Sequence, residues 1–135
     1  MTTIRRFEDL DAWVSARQLC RAVYRVSKDG RLAADFGLTN QIRRAAVSVM
    51  SNIAEGFESR TTPMFIEFLG RAKGSAGEVR AQLYVALDAE YISPDQFVEF
   101  STMAANTSSC IGGLMRYLEK NRKIYPFRGT MIAPD

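Results

Sequence analysis

Arg17, Arg21, Arg25 and Lys28 recur at intervals of four, four and three residues, with no acid between them. At about 100° per residue on a helix, the four cations share an arc of roughly 80°. Such a strip can follow a phosphate backbone, each cation releasing a counterion as it binds. A second basic run follows near the end of the chain: Arg116, Lys120, Arg122, Lys123 and Arg128, with Glu119 as the one acid in that span. Both runs can equally be plain solvated faces. Tyr24 and Tyr125 are the few aromatics near them suited to base stacking, so any binding is expected to be tolerant of sequence.

Other chemistry is poorly supplied. The chain has no histidine, which removes Ser-His and Cys-His nucleophile pairs and the commonest general acid-base. It also removes the Glu-x-x-His pairs by which helical bundles hold two metals. Cys20 and Cys110 lack the close spacing of a zinc site and are expected to be inert buried thiols. No GxxxxGK[ST] loop is present, and the glycines at 70, 74 and 77 do not follow a strand as a dinucleotide motif requires. Glu55, Glu58, Glu67 and Glu78 could supply acid-base groups, but surface ion pairs account for them more simply. The expectation is a protein with no catalytic residues, no metal and no cofactor.

The elements that must position these residues follow from periodicity. A chain of 135 residues, 47% hydrophobic and 24% charged, is one globular domain with a real core. Its net charge of +3 is too mild to imply a polyanionic partner by itself. Two cysteines, no apolar run of membrane-spanning length and no secretory h-region at the start point to the cytoplasm.

Four helices are predicted, at about 9–28, 39–58, 63–90 and 94–121. The first starts from Asp9 as N-cap and ends at Asp29-Gly30, with a seam of Trp13, Ala16, Cys20 and Val23. Residues 31–37 are read as a connection, and Thr39 as the N-cap of the second helix. Thr62-Pro63 opens the third. Its seam is Phe65, Leu69, Ala72, Ala76, Val79, Leu83 and Ala86. Ser93-Pro94-Asp95-Gln96 is a capping box opening the fourth, with Ile92 and Phe97 as its hydrophobic staple. Short turns between amphipathic helices give an all-α fold, an antiparallel up-down-up-down four-helix bundle. It spans residues 1–121, and 122–135 form an irregular basic tail.

Two features exceed what one bundle needs. The second helix carries a core stripe of Leu38, Ile42, Ala46, Val49, Ile53 and Phe57, and Val47, Met50 and Ala54 widen its apolar arc. Arg43 falls on the same arc, where a salt bridge to Glu55 or Glu78 across a subunit contact would satisfy it. On the third helix Gly70, Gly74 and Gly77 form a row, each glycine costing about 1 kcal/mol of helix propensity against Ala. Close approach of another helix would compensate. Arg43, Val47, Met50, Ala54, Gly70, Gly74 and Gly77 are therefore the expected oligomer interface.

The segments FEDLDAW, FGLTNQIRRAAVSVMSNIAEG and FIEFLGRAKGSAGEVRAQL resemble the four-helix bundle protein family encoded within intervening sequences of bacterial 23S rRNA genes. A related branch is the accessory protein of diversity-generating retroelements. The likeness extends over about residues 7–120. It implies a small cytosolic protein without enzymatic activity that assembles as a ring-shaped homopentamer. For the retroelement branch it also implies a basic surface that engages nucleic acid and a reverse transcriptase. Where family sequences often carry Ile-Pro, this chain has Val49-Met50, and the retroelement proteins are more basic as a group.

Taken together, the expected function is electrostatic binding of RNA or other nucleic acid by a cyclic homo-oligomer. Arg17, Arg21, Arg25 and Lys28 would carry it, with Arg116, Lys120, Arg122 and Lys123 assisting. The alternative is a protein-interaction scaffold with no nucleic-acid role. A carboxylate enzyme is the weakest reading.

Overall fold

The longest apolar seams pair first. In the computed structural model, which describes residues 3–121 and 131–132, the second and third predicted helices become α3 (Phe36–Phe57) and α4 (Thr62–Asp88). Ser48 and Ser75 share a hydrogen bond of 2.9 Å, Gln82 donates to Gln41, and Gly56 lies against Phe65. As residue numbers rise along one helix they fall along the other, so the pair is antiparallel. The remaining long helices are α1 (Asp11–Val26) and α5 (Pro94–Lys120), with a short α2 (Gly30–Ala34) between α1 and α3.

Around the bundle, α1 packs on α3 and α5, and α4 packs on α3 and α5. One core cluster gathers Ala12 and Ala16 with Val49, Ile53, Phe65, Leu69, Ile111 and Leu114. The other gathers Leu19 and Val23 with Leu38, Ile42, Val79, Leu83 and Phe100. Each cluster joins the start of one long helix to the end of the next, as alternating direction requires. Most of these side chains are wholly buried, each worth about 1.5–3 kcal/mol of transfer from water when large. The four long helices are the predicted ones.

Helix ends show what the periodicity missed. Ser93 and Gln96 form the predicted capping box, each side chain accepting from the other's backbone N–H. Gly30 has the positive φ expected of it, at 76°, but the end of α1 is corrected: the helix stops at Val26 with Ser27 as C-cap, and Gly30 opens α2. The start of α1 is corrected: Leu10 is its N-cap, and Asp9 belongs to a 3-10 turn over Phe7–Asp9. There its carboxylate accepts the Arg5 backbone N–H, which holds it below the usual carboxylate range. The start of α3 is corrected likewise. Asp35, not Thr39, caps it by accepting from the Leu38 N–H, while buried Thr39 donates to the Leu32 carbonyl. Asp35 also accepts from the Tyr91 hydroxyl at 3.0 Å, which raises the Tyr91 pKa and ties the α4–α5 turn to this corner. In that turn Glu90 takes the left-handed conformation at φ 61°. The N–H groups of Tyr91 and Glu90 then return to the carbonyls of Ala86 and Leu87, which is how a helix closes on a residue other than glycine.

Part of the segment expected to be an irregular tail is ordered: Met131–Ile132 pair antiparallel with Thr3–Ile4 as two short strands, β2 and β1. Ile4 is buried in the first core cluster.

The close helix approach predicted for the row at 70, 74 and 77 lies elsewhere within the chain. A Cβ at Gly56 would sit 2.8 Å from both Phe65 Cδ1 and Phe68 Cβ, and 3.3 Å from the Phe65 carbonyl oxygen. Gly74 and Gly77 are exposed, with nothing within 4 Å of such an atom. Gly56→Ala is therefore expected to destabilise by about 1–3 kcal/mol through overpacking, read as a lower thermal midpoint. Gly74→Ala should leave the chain's own packing undisturbed.

Candidate functional site

The Ala16, Leu19, Cys20 and Val23 face of α1 is buried, and that fixes the opposite face outward. Arg17, Arg21, Arg25 and Lys28 are all exposed. None of the four makes an ion pair among the described residues. Arg17 lies over the Trp13 ring at 5.8 Å from its centroid. Arg17, Arg21 and Arg25 are present as an exposed row on α1, and Lys28 follows in the turn beyond its C-cap.

The rest of the predicted basic surface is not gathered beside it. Arg116 and Lys120 face a groove between α4 and α5, together with Lys73, Gly112, Met115 and Glu119. That groove is on the α4 side of α5, whereas α1 packs on another side. Arg122, Lys123, Arg128 and Tyr125 lie outside the described residues. Lys73 was not foreseen, because its relation to Arg116 crosses between helices and leaves no trace in the periodicity of either one.

Arg43 takes a different role from the one expected. Its Nε donates to Ser27 Oγ at 2.8 Å and its Nη2 to the Ser27 carbonyl at 3.0 Å. The guanidinium also stacks on Tyr24, 4.6 Å from the ring centroid. Ser27 is the C-cap of α1 and its hydroxyl donates to Val23 O. Arg43 thus closes the end of a neighbouring helix, where carbonyls lack partners and the dipole favours a cation. A salt bridge to Glu55 or Glu78 is not formed in the chain. One face of Tyr24 is consequently occupied and is not free for a base.

Other residues expected at a subunit contact divide. Met50 is half-buried and packs against both core clusters, so part of the surplus arc is used within the chain. Ala54 is half-buried, and Val47 is exposed. On α4, Gly70, Gly74 and Gly77 point outward, and Ala81, Tyr84 and Val85 continue their exposed row. Tyr84 and Val85 are 56% and 52% exposed, an apolar addition that the glycine pattern alone did not mark.

Among the carboxylates, Glu67 pairs with Arg71 at 2.9 Å. Glu55, Glu58 and Glu78 are exposed. The thiol prediction is corrected in part: Cys20 is buried, but Cys110 is exposed. Burial raises the Cys20 pKa, and at Cys110 partial desolvation and then the Asp11 charge do the same. No helix among the described residues is long and apolar enough to cross a membrane.

The family described as 23S rRNA-intervening sequence protein matches residues 8–113. The chain belongs to that family. A solved structure with the same fold is that of a protein with unknown function from the S23 ribosomal protein family of Bacteroides thetaiotaomicron. It is 18% identical, with a TM-score of 0.71, and the match covers 78% of this chain and 98% of that one. A comparison with curated proteins gave no match. The family match spans α1, α3, α4 and most of α5, so it includes the whole cationic strip and the outward row of α4.

Two outcomes follow from this geometry. Arg43→Gln should lower the stability of the chain by about 1–3 kcal/mol, since it leaves the Ser27 carbonyl without its donor, with no change in particle mass. An unchanged thermal midpoint with a reduced mass would return Arg43 to a subunit contact. In native protein, a thiol-alkylating reagent should modify Cys110 and spare Cys20. The rate should rise only at a higher pH than for an ordinary thiol, because the reactive thiolate of Cys110 forms later.

Proposed function

We propose that the protein is a non-enzymatic cytoplasmic bundle that binds RNA or other nucleic acid electrostatically and assembles as a cyclic homo-oligomer, with a pentamer as the reading taken from its family resemblance. The observation that carries the binding is the row Arg17, Arg21, Arg25 and Lys28, exposed and free of ion pairs among the described residues. Like charges along α1 and the turn that follows it repel one another, and a polyanion relieves that while releasing its counterions. Membership of a family named for 23S rRNA intervening sequences is consistent with a role near RNA. Assembly is supported by the exposed apolar face of α4, which a repeated heterologous contact would cover. The same face supports the protein-scaffold reading if a different chain occupies it.

Arg17 sits over the chain's one tryptophan, which gives binding a built-in signal. Titration with a generic single-stranded oligonucleotide should change Trp13 fluorescence. The slope of log affinity against log salt should be about −3, from four cations at ~0.7–0.9 each. Converting Arg17, Arg21, Arg25 and Lys28 to Gln should abolish the response. Salt-insensitive binding, or equal binding by that variant, removes the nucleic-acid reading. Recovery of a protein partner after nuclease treatment would then favour the scaffold.

A further inference from the structure

The groove between α4 and α5 has its own chemistry. Its volume is about 500 Å³, and it is lined by Lys73, Gly112, Met115, Arg116, Glu119 and Lys120, within the size range of small-ligand sites. Where a Cβ would stand on Gly112, Arg116 Nη1 is 3.5 Å away and Lys73 Cε 3.6 Å. Arg116 Nη2 is 3.8 Å from the matching point on Gly113. The two adjacent glycines thus let the guanidinium lie along α5, and Lys73 reaches over from α4 toward the same spot. Both cationic side chains pass over the same glycine. No ion pair among the described residues involves either of them. Lys120 adds a third positive charge, and Glu119 supplies the one acid in the lining. Met115 forms an apolar wall, its Cε reaching to 3.9 Å from the Cβ position of Gly70.

From this we infer that the α4–α5 groove binds the phosphate group of a nucleotide, either free or within a strand. A phosphate between Lys73 and Arg116 would accept the guanidinium fork with two oxygens and the ammonium with another. Its charge would offset two cations that make no ion pair among the described residues. Met115 offers apolar surface to the organic part of the ligand. The inference does not rest on the α1 strip, which lies on a different helix face.

The test uses protein labelled with ¹³C at its methionine methyl groups, with the Met115 signal assigned from Met115→Leu. A nucleoside diphosphate, the matching phosphate-free nucleoside and a single-stranded oligonucleotide are titrated at constant ionic strength. The Met115 methyl should shift saturably with a phosphate-bearing probe and not with the nucleoside. Lys73→Gln and Arg116→Gln should each weaken that binding roughly tenfold, the loss of one charge-assisted contact. Substituting the four α1 cations should leave the Met115 titration unchanged, which separates this site from the proposed nucleic-acid track. A response to the nucleoside diphosphate identifies a free ligand, and a response to the oligonucleotide alone identifies a strand; both support the groove. No saturable shift with either probe, or the same shift in the Lys73→Gln/Arg116→Gln double variant, overturns it.

Discussion

The packing of α4 against α3 at Gly56 constrains everything outside it. With no Cβ there, the Phe65 and Phe68 side chains lie directly on the α3 backbone. Phe65 also meets Phe57 edge to face at 6.0 Å, an arrangement suited to the aromatic quadrupole. That contact sets how α4 is rotated. Its seam from Phe65 to Ala86 turns into the core, and the row from Gly70 through Val85 is left outside. The outward apolar face is thus a consequence of how the core is closed.

Charge is placed by the same logic. The buried seam of α1 turns Arg17, Arg21 and Arg25 to solvent, and Arg43 pins the end of that helix from α3. A cation expected at a subunit boundary closes a helix terminus within the chain. The basic residues of α5 meet Lys73 of α4 and not the α1 strip. The bundle therefore carries two separate cationic surfaces, each facing its own direction.

The four long helices were legible because their seams run for several turns and their boundaries carry strong local signals. Ser93 to Gln96 marks a start by its own hydrogen bonds, and Gly30 marks a turn by its positive φ. The helix Gly30–Ala34 was missed because five residues are too few to show a period. Asp35 and Thr39 were confused because both can cap, and only tertiary packing sends the Thr39 hydroxyl to Leu32. Arg17, Arg21 and Arg25 could be read as a strip because they belong to one helix. Arg43 with Ser27, and Lys73 with Arg116, could not, since those relations exist only once helices are side by side. Glycine spacing on α4 predicts a close approach that the chain itself does not make at Gly74 or Gly77; its own close approach uses a single buried glycine on α3.

Gly56 closes the core and leaves the face of Gly70, Gly74, Gly77, Ala81, Tyr84 and Val85 outside, and the proposed assembly would have copies of the chain cover that face. Light-scattering mass of the purified protein, followed over a wide range of concentration, tests this most directly. A stable multiple of the 15.1 kDa chain mass, reduced when Gly74 is replaced by Leu while the helical signal is kept, is the predicted result. A single-chain mass at every concentration would contradict it.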